Sequence, residues 1–166
     1  YRDGSEEKLT DQSVILKGEG SEIDYEKAFS FYTKAAEMGY VQSMFNLAVF
    51  YEAGWHVEKS EADAVRWLRK AAEQGHTYSE EKLGNYLYYG AAGVPSDKDA
   101  AVRYWLSAAQ KGNKRAQYEY GQMLLNKEGA TDDERTEGEA WLRKAALRNH
   151  GGAFFRLFEY GMETVS

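Results

Sequence analysis

Three histidines, an acidic run and a glycine pair are the residues of this 166-residue chain with types suited to chemistry. His56, His76 and His150 could carry protons or ligate a metal. None belongs to a His-Glu-x-x-His pair, and no P-loop or nucleophile elbow accompanies them. His76 and His150 occupy near-equivalent positions of a repeated unit, so their likeness has a structural reason; His56 falls in a loop. The run Asp132-Asp133-Glu134 lacks the alternating ligands and central Gly of a calcium loop. It reads as a solvated helix N-terminus, stabilised by the helix dipole. Gly18-x-Gly20 lacks the third Gly and the strand of a dinucleotide fingerprint, and reads as a loop. There is no Cys, hence no disulfide and no thiolate metal site. No catalytic residue, metal or cofactor is expected.

Recognition is the chemistry that remains. Phe45, Val49, Tyr78, Glu81, Asn85, Tyr88, Tyr89, Arg115, Tyr118, Gln122 and Phe155 lie on helical faces where core packing does not require aromatics. Aromatic rings with a few amides and charges are the composition of a protein-binding surface. The competing reading is that some of them pack between adjacent helices. Net charge is −6, which argues against nucleic acid and against anionic membrane surfaces. No run of eighteen apolar residues exists, so membrane insertion is not expected. No leader pattern opens at Tyr1. The absence of Cys fits either redox compartment.

These residues must be positioned by a repeat. Trp67-Leu68-Arg69-Lys70-Ala71-Ala72-Glu73-Gln74-Gly75 has counterparts at 31–39, 104–112 and 141–149, with Ala-Ala pairs 36, 37 and 37 residues apart. A period in that range means a stacked array. Ala28, Ala64, Ala101 and Gly138 stand seven residues before each pair, and a bulky wedge lies between: Phe31/Tyr32, Trp67/Leu68, Tyr104/Trp105 and Trp141/Leu142. We call this helix B. A second element, helix A, places small–Leu–(Gly or Ala)–(Tyr or Leu) on one face at i, i+4, i+5 and i+8, as in Ser79, Leu83, Gly84 and Leu87. The segment 5–9 is identical to 79–83, 74 residues later, which supports internal duplication.

Helix ends carry their own punctuation. Asp24, Ser60, Asp97 and Glu134 are expected near the start of helix B, with Ser60-x-x-Asp63 and Ser96-x-x-Asp99 resembling capping boxes. Gly39, Gly75, Gly112 and Asn149 follow its last turn. Helices are predicted at about 5–17, 25–38, 41–53, 61–74, 78–89, 97–111, 114–127, 134–148 and 151–163. Trp67, Trp105 and Trp141 read as core. Trp55, in a loop, is either a contact residue or packs on a neighbouring loop.

On these residues the chain resembles the Sel1-like repeat family, relatives of the tetratricopeptide repeat. The match is best at Leu83-Gly84, Gly90, Gly93-Val94, Asp97, Ala101 and Ala108-Ala109, and at the signature ending 67–75. It departs at Thr10, Ala48 and Phe158, where the family favours Gly, and at Asn149. The resemblance implies an all-α, right-handed α-solenoid of antiparallel helix pairs, about nine helices in four repeats plus one extra helix. Repeats fall at about 5–40, 41–76, 77–113 and 114–150, with a C-terminal helix at 151–163, in a single array over 1–166. Helix A would line the concave face and helix B the convex one.

The expected function is a non-enzymatic scaffold gripping a protein or peptide in a concave aromatic groove. An alternative within the resemblance is a bacterial envelope or virulence-associated protein, such as an immunity protein binding a toxin, which would be periplasmic or secreted. A hydrolase is disfavoured by the lack of a nucleophile–base constellation. The apolar segment Ala153–Glu163 is a lid, a dimerisation patch or the edge of a longer array. The sequence does not name the partner.

Overall fold

The computed structural model describes residues 24–148 and 150–165. Among them are eight helices: α1 (Tyr25–Glu37), α2 (Val41–Ala53), α3 (Glu61–Glu73), α4 (Thr77–Tyr89), α5 (Lys98–Gln110), α6 (Lys114–Asn126), α7 (Asp132–Leu147) and α8 (Gly151–Val165). Odd-numbered helices are the B elements and even-numbered ones the A elements. Each packs mainly on its neighbours in the chain, the contact pattern of an α-solenoid. The expected helix at 5–17, the loop containing Gly18 and Gly20, and the cap at Asn149 lie outside the described residues.

The repeat positions form the core. All four Ala-Ala pairs are buried, and the second wedge residue of each B helix is fully enclosed: Tyr32, Leu68, Trp105 and Leu142. Small residues on helix A receive these wedges. A Cβ on Gly84 would come within 2.4 Å of the Trp105 ring. Without such gaps, the bulky wedge would overpack the crossing.

The caps follow the sequence at three B helices. Asp24, Ser60 and Asp97 accept from the backbone N–H of Lys27, Asp63 and Ala100. The fourth is different. Helix α7 begins two residues earlier than expected, and its cap is Thr131, not Glu134. Thr131 Oγ1 accepts from the Glu134 N–H while the Glu134 carboxylate accepts from the Thr131 N–H, a reciprocal capping box. Lys127 and that Thr131 N–H hold the Glu134 carboxyl below its usual range. Ser96 is not a cap either: its hydroxyl donates to the carbonyls of Leu87 and Tyr88, leaving Asp97 free to cap α5. Gly39, Gly75 and Gly112 have φ of 95°, 81° and 92°, the left-handed conformation expected after helix B.

Repeats are braced along one seam. Lys111 donates to the Gly75 carbonyl at 3.0 Å and to buried Glu80 at 2.8 Å. The equivalent pair one repeat earlier is Gln74 and Met44, at 3.6 Å. Trp55 is half-buried and packs on helix residues, not on a loop: its ring lies 5.3 Å from Tyr25 and 5.5 Å from Phe50.

Candidate functional site: the A-helix surface

Each of the three histidines makes contacts that hold the fold. Position 76 is the N-cap of α4, and its equivalents are Tyr40, Asn113 and His150. Nδ1 of His76 accepts from the Ser79 N–H at 3.3 Å and lies 2.8 Å from the Ser79 hydroxyl. Its Nε2 lies 3.2 Å from the Gln42 amide oxygen, which requires the proton on Nε2. Asn113 caps α6 in the same way, by accepting from Ala116, and His150 Nδ1 accepts from Ala153. Tyr40 makes no side-chain cap. Burial lowers the pKa of both histidines; nearby Lys111 adds to this at His76, where Glu80 opposes it, and Lys114 and Arg115 add to it at His150. His56 has φ of 63° in the turn after α2 and packs on Phe29 at 5.6 Å. Among the described residues no group of three or more His, Cys, Asp or Glu could hold a metal ion.

The predicted contact residues fall into three clusters. In the first, Phe45 of α2 lies 5.2 Å from His76 and 6.4 Å from Tyr78, and Tyr78 is 62% exposed. In the second, Tyr88 packs on Trp105 at 4.7 Å and Tyr89 sits at 5.0 Å from Tyr88. Tyr88 is thus half-buried against the core, whereas Tyr89 is 67% exposed. In the third, Tyr118 stacks on His150 at 4.4 Å, with a 24° interplanar angle. Val49 and Gln122 are half-buried, and Arg115 is exposed. Phe155 is 63% exposed on α8, together with Phe154 and Phe158.

Two expected surface residues are more enclosed. Glu81 is only 4% exposed. Its carboxylate accepts from Asn85 at 3.1 Å, and the Asn85 oxygen in turn accepts from Trp105 Nε1 at 3.0 Å. This chain ties both residues to the wedge of α5, which a reading of α4 alone does not reveal. Burial raises the Glu81 pKa, against the opposing pull of Arg115, Lys82 and the Asn85 bond.

Successive A helices are joined by polar contacts. Lys82 and Tyr86 both donate to Glu52, at 2.9 Å each. Tyr89 donates to Glu119 at 3.3 Å, and Arg156 to Asn126 at 2.7 Å. Burial raises the Glu119 pKa, and the charge of Glu81 adds to this. A cleft of about 500 Å³ opens beside this surface, lined by Tyr78, Glu81, Asn113, Lys114, Arg115 and Arg148. Lys114 and Arg148 were not singled out in the sequence. The available signal was the placement of two basic residues in the first turn of α6, where the helix dipole disfavours them.

With this geometry in place, similarity to known proteins decides the family. The Sel1 repeat pattern matches residues 14–40, 41–76, 77–113 and 114–150. The chain belongs to the Sel1 repeat family. Sel1 repeats generally mediate protein–protein interaction and regulation. The chain is 28% identical over 158 residues to Chitin synthase regulator SKT5 of Saccharomyces cerevisiae, covering 89% of this chain and 23% of that protein. It is 30% identical over 141 residues to an exopolysaccharide production negative regulator of Rhizobium leguminosarum bv. viciae, covering 77% and 52%. This Sel1 repeat chain therefore spans about a quarter of the yeast relative and about half of the rhizobial one. Among solved structures, it superposes with TM-score 0.80 and 27% identity on a protective antigen of uropathogenic Escherichia coli displaying an SLR fold, covering 90% of this chain and 32% of that one. A Sel1 repeat protein from Oxalobacter formigenes gives TM-score 0.77 and 27% identity, covering 90% and 60%.

Proposed function

We propose that this Sel1 repeat chain is a non-catalytic scaffold that binds a polypeptide partner along the surface of its A helices. The observation that carries the reading is the exposure of Tyr78 and Tyr89 beside the packed rings of Phe45 and Tyr88. Rings held by neighbours on one side and open on the other present apolar area with little further loss of side-chain freedom. The structural duties of His76 and His150, whose Nδ1 atoms cap helices, support a binding role over a catalytic one. The regulatory names of the yeast and rhizobial relatives are consistent with action through partners.

The test is capture of binding proteins from an extract of the source cell, identified by mass spectrometry. A Tyr78→Ala/Tyr89→Ala variant should keep its helical circular dichroism and lose the captured partner. Undiminished capture by a folded double variant would remove the A-helix surface as the site.

A further inference from the structure

We propose that the cleft beside Tyr78 anchors an acidic segment of the partner, with Lys114, Arg115 and Arg148 receiving its carboxylates. This rests on the protein-binding reading above and names the chemistry of one end of that surface.

The chain carries a net charge of −6, yet three cations line this one cleft. None of the three is in an ion pair among the described residues. The single carboxylate in the lining, Glu81, is buried and bonded to Asn85, so it offsets part of the charge without occupying a guanidinium. Two of the cations are the first residues of α6, and their position opposes the helix dipole. Arg115 partly offsets the burial of Glu81, but at more than ion-pair distance, so it and Lys114 stay open to an anionic ligand. Arg148 arrives from the end of α7, and its guanidinium lies over Gly112, where an added Cβ would be 2.9 Å from Nη2. The repeat pitch thus sets two guanidinium groups and an ammonium around one opening. Guanidinium forks match carboxylates in bidentate geometry, and the exposed ring of Tyr78 adds an apolar contact at the rim.

The surroundings favour a polypeptide over a nucleic acid. Beyond the cleft, Glu119 lies farther along α6 and Glu52 on α2, where a continuing phosphate backbone would meet carboxylates. A polypeptide can place acidic residues in the cleft and neutral or basic ones beyond it.

Fluorescence anisotropy provides the test, using a short fluorescein-labelled peptide of alternating Glu and Leu with one Tyr. Its Gln-for-Glu counterpart and a labelled duplex DNA serve as competitor classes. The acidic peptide should bind the full chain and weaken with added salt, because exposed charges are screened within about 10 Å at 0.1 M. Arg115→Ala/Arg148→Ala should reduce its affinity about tenfold or more, whereas Arg103→Ala, exposed on α5, should leave it unchanged. Absence of binding, equal binding of the Gln peptide, or indifference to the double substitution would each overturn the proposal. DNA binding of equal strength, lost in the same variant, would replace it with a general anion site. Failure here with cellular capture still lost in Tyr78→Ala/Tyr89→Ala leaves the scaffold reading standing. Arginine-dependent peptide binding with undiminished cellular capture in that tyrosine variant leaves the cleft and removes the tyrosine surface.

Discussion

Gly121 of α6 and Gly138 of α7 face each other at the helix crossing, and a Cβ on either would sit 2.8 Å from the other's carbonyl oxygen. Backbone cannot yield as a side-chain tip can. Ala at either position is expected to destabilise the array by about 1–3 kcal/mol, read as a lower midpoint in thermal or denaturant unfolding. Gly151→Ala, whose Cβ would meet nothing within 4 Å, serves as the control and should change stability little. An unchanged midpoint for Gly121→Ala would mean that the crossing is looser than it looks.

Lys111 is the counter-ion of buried Glu80 and also bonds the Gly75 carbonyl. Lys111→Ala leaves the carboxylate enclosed without its cation and should cost about 1–3 kcal/mol, less than a fully buried pair because the lysine is partly exposed. Adding Glu80→Gln should recover much of the loss. Gln117 occupies the equivalent position one repeat later and is buried there, donating to the Ala109 carbonyl at 3.1 Å. A double-mutant cycle measures the coupling, and additive effects would refute it.

His76 and His150 make stability depend on pH. Each caps a helix through an unprotonated Nδ1, and burial lowers the folded-state pKa below the ordinary 6.5. The unfolded chain therefore binds protons more readily. The contribution is complete above the unfolded value and is lost as pH falls below it toward the folded pKa. Denaturation midpoints should drop between about pH 7 and pH 5. His76→Asn should flatten part of that slope while keeping the cap, since Asn113 performs the same task in the next repeat. An unaltered slope would show that other groups carry it.

Thr131 sets the start of α7. Thr131→Ala removes the side-chain half of the capping box and should cost about 1 kcal/mol, whereas Thr131→Ser should be nearly neutral. Equal stability of the two variants by chemical denaturation would count against the cap.

The sequence by itself determined the period, the alternation of A and B helices, and the burial of the Ala-Ala pairs and of the second residue of each wedge, whereas Trp141, read as core, is only half-buried. Those features arise from spacing within one helix, because residues at 3.6-residue periodicity share a face whatever lies opposite. It also placed Asp24, Ser60 and Asp97 at helix starts, where a short acceptor meets a free N–H in the next turn. Tertiary structure decided what each face meets. Tyr88 and Tyr89 are adjacent and chemically identical, yet Trp105 from the following helix takes one and leaves the other exposed. Glu81 occupies an expected surface position, but Asn85 and the same Trp105 draw it into the interior. Arg148 joins Lys114 and Arg115 only because the repeat brings the end of α7 beside the start of α6. Periodicity orients a side chain about its own helix axis. Its depth, its partners and the charge around it come from residues one repeat away, and these are fixed only when the helices stack.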